Sequence, residues 1–393
     1  MKVWIVNPFD NLPLEGNRPQ RYWLMARAFA RAGHDVTLWT SDFSHARKAR
    51  RQLGVNVGTS FVRDGFRTVL VATRPYRANI GLARIVSHRL LAKAWARRVA
   101  DEPVPDLVVA SSPPLSLCAA ARDYCAVQNV PFIVDVMDAW PETFERVLPR
   151  MLLAPLRRLA RRNYQAATAI STVSERYVDL VRGYGVRAPV KLFYHGIERN
   201  ASMARTDGRP ESAAWRLVYA GNMGASYDVR TVIAAVETLP DVTLDLAGTG
   251  PCEPAWRTLA ATCPRIRFHG YLDAAALQAL LAMADAGVVP MFPASCVGVP
   301  YKLADYAAVG LPVLNSLTGE TARVLAETGA GFSYQAGDVA SFRAALAALR
   351  KAEPAGVRRG VAALAARFDA DEIYRAYVAW AQGVRSIPVP SSH

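Results

Sequence analysis

Short apolar runs alternate with stretches of helical periodicity along most of this chain. The first such group is the run KVWIVN, a loop, the stretch RYWLMARAFARAG and the run HDVTLWTS. Trp23, Leu24 and Phe29 recur on one face of the middle stretch, and Gly33 marks its end. A strand, a helix and a second strand in this order predict a parallel sheet joined by a right-handed crossover.

The same alternation continues through the rest of the chain and predicts an α/β protein with two Rossmann-like doubly wound domains. DLVVASSPP, PFIVDVM and KLFYH are further strands of the first domain, and WRLVYAG, VTLDLAG and RIRFHG are strands of the second. We place the first domain at residues 1–195 and the second at residues 196–368. The polar segment ASMARTDGRPESAA is expected to be a surface connection between them.

Composition describes a globular chain whose excess positive charge lies in one half. Of 393 residues, 52% are apolar and 20% are charged, and the five cysteines form no CxxC pair, so we expect no disulfide framework and a reducing cytoplasm. Residues 1–200 hold 30 Lys and Arg against 16 Asp and Glu, whereas residues 201–393 hold 17 of each. The first half therefore carries the whole net charge of +14, which favours an anionic partner.

Nucleic acid is the weakest candidate for that partner, because no RNP motif, zinc finger or aromatic ladder accompanies the basic residues. Residues 84–99 and 150–162 combine apolar positions with flanking basic ones, as segments on a membrane surface do, although core-facing helices share this pattern. Residues 44–51 have no apolar face and are expected to form a solvated loop. No apolar run is long enough to span a bilayer, and the opening MKVWIVNPFD does not read as a secretory leader.

The stretch 298–315, GVPYKLADYAAVGLPVLN, carries the main candidate chemistry. It reads as a loop, a short helix with Pro300 in its first turn, and a buried strand after a cap at Gly310. Lys302 and Asp305 then lie near the helix N-terminus, where amide groups and the helix dipole attract phosphate. A cation, a carboxylate and amide groups suit a sugar nucleotide, although a solvated Lys/Asp pair on an ordinary helix would have the same pattern.

Glycine-containing turns follow several of the predicted strands. In the second domain they contain Gly221 and Gly224, then Gly250, then Gly270 beside Tyr271. Glycines after a strand let the backbone approach a phosphate group closely. These turns are therefore candidates for contact with a nucleotide.

In the first domain, the loop after KVWIVN contains Gly16, Asn17 and Arg18. It opens at the carboxyl end of a strand, where doubly wound sheets bind ligands, although a plain crossover loop is the alternative. The loop has no GxGxxG turn, so we expect no dinucleotide site there.

Several of these segments are similar to one known family. KLADYAAVGLPVL resembles the K-x-x-E-Y-x-A-x-G-x-P-V segment of the retaining family 4 glycosyltransferases, and the GTGP and HGY turns precede it in the family's order. The GNMG turn and the segment VMDAWPE resemble a bacterial subgroup that makes polysaccharides and lipid-linked glycans.

The resemblance implies the GT-B architecture, in which two Rossmann-like domains face a cleft and a last helix, at about residues 369–385, packs back on the first domain. It also implies that a sugar is transferred, with retention of anomeric configuration, from a nucleotide diphosphate donor. A UDP-sugar is the expected donor, and the expected acceptor is lipid-linked or a polysaccharide precursor.

Two positions depart from the family's donor-binding pattern. The glutamate that holds the ribose corresponds to Asp305, and the glutamate that faces the donor sugar corresponds to Val297. Because valine has no polar side-chain atom, we expect backbone N–H groups of Gly298 and Val299 to take part in sugar recognition. The identity of the donor sugar stays open.

The two basic residues with which the family grips the diphosphate are also absent. Their positions hold Asn222 and Tyr227. We therefore expect Lys302 to be the diphosphate partner, with Arg230 as the second choice.

In the first domain the resemblance places Asp138 near the reacting centre. A carboxylate there stabilises positive charge at the anomeric carbon or accepts the acceptor's proton, although capping of the next helix is the alternative. Glu142 is held in reserve, and His195 stands in a hinge-like segment where a structural histidine is an equal alternative.

The candidate residues fall into four groups. They are catalytic Asp138 and Lys302; donor-binding Gly221, Asn222, Gly250, Gly270, Tyr271, Gly298, Val299, Tyr301, Lys302 and Asp305; the acceptor or phosphate loop Gly16, Asn17 and Arg18; and, in reserve, Glu142, His195 and Arg230.

These expectations describe a cytoplasmic enzyme on the inner face of the membrane, with no cofactor and no metal, since the donor loops lack a DxD-type carboxylate pair. Two other classes remain open. A sugar-nucleotide epimerase of the same fold would need no acceptor, and a catalytically silent nucleotide-sugar binder would fit the loss of the glutamate at Val297.

Overall fold

The chain divides into two compact units in a computed structural model that describes residues 1–53, 59–78, 81–146, 148–198 and 214–389. One unit comprises Met1–Gly196 with Ala370–His393, and the other comprises Ile197–Asp369. Residues 201–213 of the expected surface connection lie outside the described residues. In the described part of the chain, no helix is both long and apolar enough to cross a bilayer.

The first unit is built on an eight-stranded sheet, in which the neighbours run β10-β9-β8-β7-β1-β2-β6-β5 and all pairs are parallel except β5 with β6. A short antiparallel pair, β3 with β4, lies apart from it. The strands are β1 Lys2–Val6, β2 Asp35–Ser41, β3 Phe43–Ser44, β4 Ala49–Arg50, β5 Ser60–Arg63, β6 Phe66–Val71, β7 Leu107–Ser112, β8 Phe132–Val136, β9 Ala169–Thr172 and β10 Val190–Leu192.

Helices of the first unit follow the strands as the crossover pattern predicts. They are α1 Arg21–Arg31, α2 Leu82–Val99, α3 Leu115–Gln128, α4 Arg150–Gln165 and α5 Glu175–Gly183, and the unit is completed by α13 Ala370–Val384. Two 3-10 turns occupy Pro13–Glu15 and Glu142–Arg146. Apolar residues of β1, α1 and α13 share one core, in which Phe29 contacts Tyr377 with 6.3 Å between ring centroids.

The second unit is built on a six-stranded parallel sheet with the order β13-β12-β11-β14-β15-β16. Its strands are β11 Trp215–Ala220, β12 Val242–Ala247, β13 Ile266–Gly270, β14 Ala286–Val289, β15 Val313–Asn315 and β16 Gly331–Ser333. Its helices are α6 Val229–Glu237, α7 Glu253–Leu259, α8 Ala274–Ala282, α9 Tyr301–Ala308, α10 Glu320–Thr328, α11 Val339–Lys351 and α12 Pro354–Arg367. Chain order reverses between β11 and β14, so this boundary is the topological switch point of the sheet.

The structure corrects the expectation for the segment 44–51 in part and shows which side chains of α2 face the core. Residues 46, 47, 49 and 50 are exposed as expected, but the Arg51 guanidinium is fully buried, bonds the Glu15 carboxylate and donates to the Asp10 carbonyl oxygen at 2.6 Å. In α2 the residues that face the core are Leu91, Trp95 and Val99, while Leu90 is exposed. The basic run at 44–51 therefore ends in a buried arginine, Arg51, whose carboxylate partner Glu15 lies 36 residues away in the sequence.

Candidate donor site and its counterpart in the first unit

Helix α9 begins directly beside the switch point of the second sheet. Pro300 is extended and precedes the first helical residue instead of lying in the first turn, while Gly310 takes the left-handed conformation just after the helix, with φ +78°. The Tyr306 hydroxyl accepts from the Ala220 N–H at 3.1 Å and donates to the Val288 carbonyl oxygen at 3.2 Å. Tyr306 thus ties α9 to the ends of both β11 and β14 and fixes the helix N-terminus above them.

Lys302 is a buried cation on the first turn of α9, 6% exposed. Its ammonium nitrogen lies 4.1 Å from the ring centroid of Tyr219 and 4.0 Å from that of Tyr227. Among the described residues Nζ has no hydrogen-bond partner. Burial lowers the pKa of Lys302 to about 7, against the opposing effect of the Asp305 charge. The two rings compensate part of the lost hydration of the ammonium group, but none of its hydrogen bonds.

Gly221 leaves the space next to this ammonium group open. It has φ +147°, which favours glycine, and a Cβ built on it would lie 3.1 Å from Lys302 Nζ. A Cβ on Gly250 would lie 2.5 Å from the Met223 carbonyl oxygen and 2.8 Å from Asn222 Oδ1. Gly250 is therefore required for the packing of one loop on the other, whereas Gly221 also provides access to Lys302.

The other donor-binding candidates of this unit surround the start of α9 or follow β13. Gly298 and Val299 are buried, and Thr321 of α10 donates to the Gly298 carbonyl oxygen at 2.6 Å. Asp305 lies one turn after Lys302 and is half-buried, as is Tyr301. Helix α10 therefore holds the loop that leads into α9 through the hydrogen bond from Thr321 to Gly298.

Gly270, the last residue of β13, takes φ +65°, and its carbonyl oxygen accepts from the Gly248 N–H at 2.7 Å. The next residue, Tyr271, is 55% exposed. Next to them the His269 ring bonds Asp245 at 2.7 Å. Arg230, the second choice for the diphosphate, is exposed on the first turn of α6.

In the first unit, Asp138 follows β8 and is half-buried. It accepts from the Ala139 N–H at 2.8 Å and from the Thr143 hydroxyl at 3.2 Å. Burial raises the pKa of Asp138, although those hydrogen bonds and the positive charge of Arg84 oppose the change. A carboxylate with a raised pKa at the end of a parallel strand is suited to exchanging a proton with a ligand.

The reserve candidate Glu142 has structural partners. It bonds the Tyr184 hydroxyl and lies 3.5 Å from Arg157 of α4. These contacts join the turn after β8 to α4 and to the residue after α5 through Oε1, whereas Oε2 is buried without a hydrogen-bond partner among the described residues.

The phosphate-loop candidates lie between β1 and α1. Gly16 ends the 3-10 turn with φ +74° and is exposed, while Asn17 and Arg18 are half-buried. His195 is buried, and its pKa is held well below the ordinary range by burial first and then by the charges of Arg21 and Arg18. Arg18 and Arg21 therefore lie close enough to His195 for their charges to act on it, whereas Glu142 contacts Tyr184 and Arg157.

Comparison with known proteins matches the chain in two consecutive parts. A model of the "Glycosyl transferase 4-like domain" matches residues 20–195, and a model of "Glycosyl transferases group 1" matches residues 214–351. Both parts of the chain are therefore similar to glycosyltransferase domains.

Curated relatives and solved structures agree with these matches. The glycogen synthase of Mycobacterium tuberculosis is 29% identical over 227 residues, which are 54% of this chain and 51% of that one, so the chain spans about half the length of the curated relatives it matches. Sucrose-phosphate synthase from Thermosynechococcus elongatus superposes with a TM-score of 0.77 at 14% identity, over 98% of both chains. HepE of Anabaena, solved with UDP-glucose, gives 0.67 at 14% identity, over 98% of this chain and 99% of its own. The expected fold class, two Rossmann-like domains of the GT-B type, is confirmed.

The sequence analysis missed two buried charged groups of the first unit. Asp10, in the loop after β1, accepts from the N–H groups of Tyr22 and Trp23 at 2.7 and 3.2 Å and so caps α1 from a distance. Burial raises its pKa to about 7 against those hydrogen bonds. Arg84 was also missed, although its charge acts on Asp138. The signal for Asp10 was its place at the carboxyl end of a strand, but Arg84 had no comparable signal.

Across the described ranges, no three His, Cys, Asp or Glu side chains are grouped as the ligands of a metal ion would be.

Proposed function

We propose that this glycosyltransferase transfers a sugar from a nucleotide diphosphate donor, a UDP-sugar in the first instance, to a lipid-linked or polysaccharide-precursor acceptor, with retention of anomeric configuration. The observation that carries the proposal is Lys302, a buried ammonium group that is 6% exposed and lacks a hydrogen-bond partner among the described residues. A buried charge without such a partner is costly for a folded protein, so it is expected to meet an anion in the working state.

The diphosphate is the anion that the surroundings of Lys302 suit. The glycine at Gly221 leaves room for it, and the N-terminus of α9 contributes its dipole and amide groups. In the transfer, the bond between the anomeric carbon and the diphosphate oxygen breaks while the acceptor oxygen bonds to that carbon and gives up its proton. Negative charge grows on the departing diphosphate, and Lys302 stabilises it there. Asp305 would hold the ribose hydroxyls.

Asp138 is the proposed residue of the first unit at the reacting centre. Its raised pKa suits a carboxylate that accepts the acceptor's proton, and stabilisation of positive charge at the anomeric carbon by the ionised form is the alternative role. The phosphate-loop residues Gly16, Asn17 and Arg18 and the backbone of Gly298 and Val299 complete the proposed contacts. The resemblance of VMDAWPE to the bacterial polysaccharide subgroup supports this assignment.

A panel of nucleotide sugars tests the donor. UDP-, ADP- and GDP-linked glucose, galactose and N-acetylglucosamine are added to the full chain, and thermal unfolding is recorded. The cognate donor at about 100 times its dissociation constant should add about 2.7 kcal/mol of stability. Lys302→Met should reduce the added stability to about 0.4 kcal/mol, as a hundredfold loss of affinity implies, while Lys351→Met, which changes an exposed lysine at the end of α11, should retain all of it. A shift of wild-type size in Lys302→Met would remove the diphosphate assignment.

The stereochemistry of transfer is tested separately. With the cognate donor and a membrane extract as acceptor source, the anomeric proton of the first product is followed by NMR from the start of the reaction. Retention predicts the donor's anomeric configuration in the product, and the opposite configuration would overturn it.

A peripheral position on the anionic inner face of the cytoplasmic membrane is part of the proposal. Helix α4 carries Met151 and Leu152, 86% and 64% exposed, next to the exposed Arg150 and Arg158. Exposed apolar side chains flanked by arginines suit the boundary of an anionic bilayer. Leu82 and Leu90 of α2 are also exposed and have basic neighbours.

Vesicle sedimentation tests this position. Binding to vesicles of phosphatidylglycerol and phosphatidylcholine should fall steeply between 0.05 and 0.5 M salt, since exposed charges are screened. The pair Met151→Ser and Leu152→Ser should weaken it several-fold, whereas Val127→Ser, which is also highly exposed in the same unit, should not. Binding that ignores salt, or no binding at low salt, would remove the membrane from the proposal.

One observation favours a second candidate, a binder of nucleotide sugars that transfers nothing. Val297 replaces the sugar-facing glutamate, and Asn222 and Tyr227 replace the two basic residues of the family pattern. Donor binding without release of UDP, with or without membrane extract, would support this candidate over the transferase. Conversion of the bound donor into its epimer, in the absence of any acceptor, would instead identify an epimerase.

A further inference from the structure

Basic and aromatic side chains from separate parts of the first unit meet near Asp138. We call them the Arg84 cluster, and its members follow β3, β6 and β8 or lie in the first two turns of α2. They are His45, Lys48, Tyr76, Arg84, His88 and Trp140. Strands β2, β6 and β8 run in parallel, and carboxyl ends of parallel strands form the edge of a doubly wound sheet at which ligands bind.

The contacts make these side chains one group. His45 Nδ1 lies 3.1 Å from Lys48 Nζ and 2.6 Å from the Tyr76 hydroxyl. The Arg84 guanidinium lies 4.6 Å from the ring centroid of Trp140. The His88 ring is 5.8 Å from Trp140 and 5.9 Å from Tyr76, centroid to centroid.

Positive charge dominates the cluster. Burial and then the charges of Arg84 and Lys48 lower the pKa of His45 to about 3, and burial and then Arg84 and His45 lower that of His88 to about 3. Burial and then Arg84 lower the pKa of Lys48 to about 8. The charges that lower these three pKa values are all positive, while the carboxylate of Asp138 acts on Arg84. Like charges held together disfavour the charged forms, and a bound anion would relieve that cost.

His88 provides an independent observation that points to a ligand. The side chain is 4% exposed, and its Nε2 is buried without a hydrogen-bond partner among the described residues. A buried ring nitrogen that makes no hydrogen bond costs free energy, and it is available to a phosphate oxygen. The Arg84 cluster therefore combines excess positive charge with an unused polar atom.

We propose that Arg84, Lys48 and His88 bind a phosphate group of the acceptor, beside Asp138. This deepens the proposed function and rests on it. An arginine and a lysine hold phosphate oxygens through charge-assisted hydrogen bonds, and His88 adds one neutral contact. The acceptor is thereby a phosphate ester. Two sources share this chemistry, a soluble sugar phosphate and a phosphorylated lipid.

The test measures phosphate binding with the donor site already filled. The full chain is saturated with UDP, and inorganic phosphate, glucose 6-phosphate and farnesyl phosphate are titrated by calorimetry. We expect Arg84→Gln to weaken binding of each ligand that the wild type binds by about tenfold or more, since charge-assisted contacts are the strong ones. Arg187→Gln, which removes an equal charge from an exposed loop of the same unit, should leave it unchanged.

Further outcomes decide the proposal and the source of the phosphate. Tighter binding of farnesyl phosphate than of glucose 6-phosphate supports a lipid acceptor, and the reverse order supports a soluble one. Arg84→Lys keeps the charge but loses the planar guanidinium over Trp140, so it should bind more tightly than Arg84→Gln and more weakly than the wild type, and an unchanged unfolding midpoint in both variants controls for folding. No phosphate binding by the wild type, or an Arg84→Gln defect confined to UDP, would overturn the subsite. If UDP itself does not bind, the donor proposal fails, while the phosphate titration still decides the Arg84 cluster.

Discussion

Two buried cations, Arg21 in the first unit and Lys302 in the second, have opposite surroundings. The Arg21 guanidinium makes two hydrogen bonds to Asp135, each 2.8 Å long, and one of 3.1 Å to each of two backbone carbonyl oxygens. Burial alone would lower the pKa of Arg21, but Asp135 holds it well above the ordinary value. Lys302 faces two tyrosine rings and, among the described residues, gives its Nζ protons to no acceptor.

The difference separates a charge that serves the fold from one that serves a ligand. Arg21 joins α1 to β8, and Ser171 of β9 donates to the same Asp135 carboxylate at 2.5 Å. That network is complete without any ligand. In the proposed function, Lys302 gains an acceptor for its hydrogen bonds only when the donor binds, so the free energy lost by burying its charge would be recovered on binding. The two sites therefore predict opposite responses to the same kind of substitution.

The largest expected effect is the loss of stability in Arg21→Met. Asp135 would be left buried without its counter-charge, which typically costs about 3–5 kcal/mol. Urea unfolding of the wild type and the variant measures the difference. Arg31→Met is the control, since its contact with Asp371 is exposed on both sides and should matter little. A loss below about 1 kcal/mol in Arg21→Met would show that the pair does not support the fold.

Lys302→Met should reverse that pattern. We expect donor affinity to fall by about a hundredfold, since charged hydrogen bonds contribute about 1.5–3 kcal/mol each. The stability of the donor-free protein should stay the same or rise by about 1–2 kcal/mol, because an apolar side chain replaces a desolvated charge. Calorimetry with the cognate donor and urea unfolding measure the two quantities. Lower stability with unchanged donor affinity would show that Lys302, like Arg21, supports the fold and does not bind the donor.

The pH dependence of donor binding should be the next largest effect. The pKa of Lys302 in the empty protein is about 7, and the diphosphate binds the charged form. As pH rises through 7 the free protein loses that charge, so affinity should fall about tenfold between pH 6.5 and pH 8 and level off below pH 6. A sugar nucleotide is the proper probe, because its diphosphate keeps a constant charge over this range. Lys302→Arg should remove the dependence, and a dependence that persists in Lys302→Arg must come from another group.

The sequence predicted the chain's strands and helices better than its buried charges. Apolar runs and the glycine at Gly310 placed β1, α1 and α9 within a residue or two, because short-range patterns determine where such elements start and end. The Arg21 pair joins residues 114 positions apart. In a sequence, the buried Arg51 and Arg84 cannot be distinguished from surface arginines, since only the fold decides which charged side chains lose water. Lys302 was singled out as a diphosphate partner because a helix N-terminus and a family motif coincide there, and that role stays a prediction.

The smallest expected effect concerns the ring of Tyr227. Its centroid lies 4.0 Å from Lys302 Nζ, and its ring packs edge-on against Tyr219 at 5.6 Å. Tyr227→Leu removes one of two cation–π contacts, each worth about 0.5–2 kcal/mol. We expect donor affinity to fall about three- to tenfold, and the midpoint of its pH dependence to move below pH 7, because the charged amine loses part of its compensation.

Tyr227→Phe separates the ring from the hydroxyl. Phenylalanine keeps a ring at the same place, so calorimetry with the same donor should show an affinity within about twofold of the wild type. Equal losses in Tyr227→Phe and Tyr227→Leu would assign the effect to the hydroxyl and so to direct contact with the donor. The contrast with Arg21 would then weaken. The ring of Tyr227 would no longer be needed to stabilise the buried charge of Lys302 in the donor-free protein.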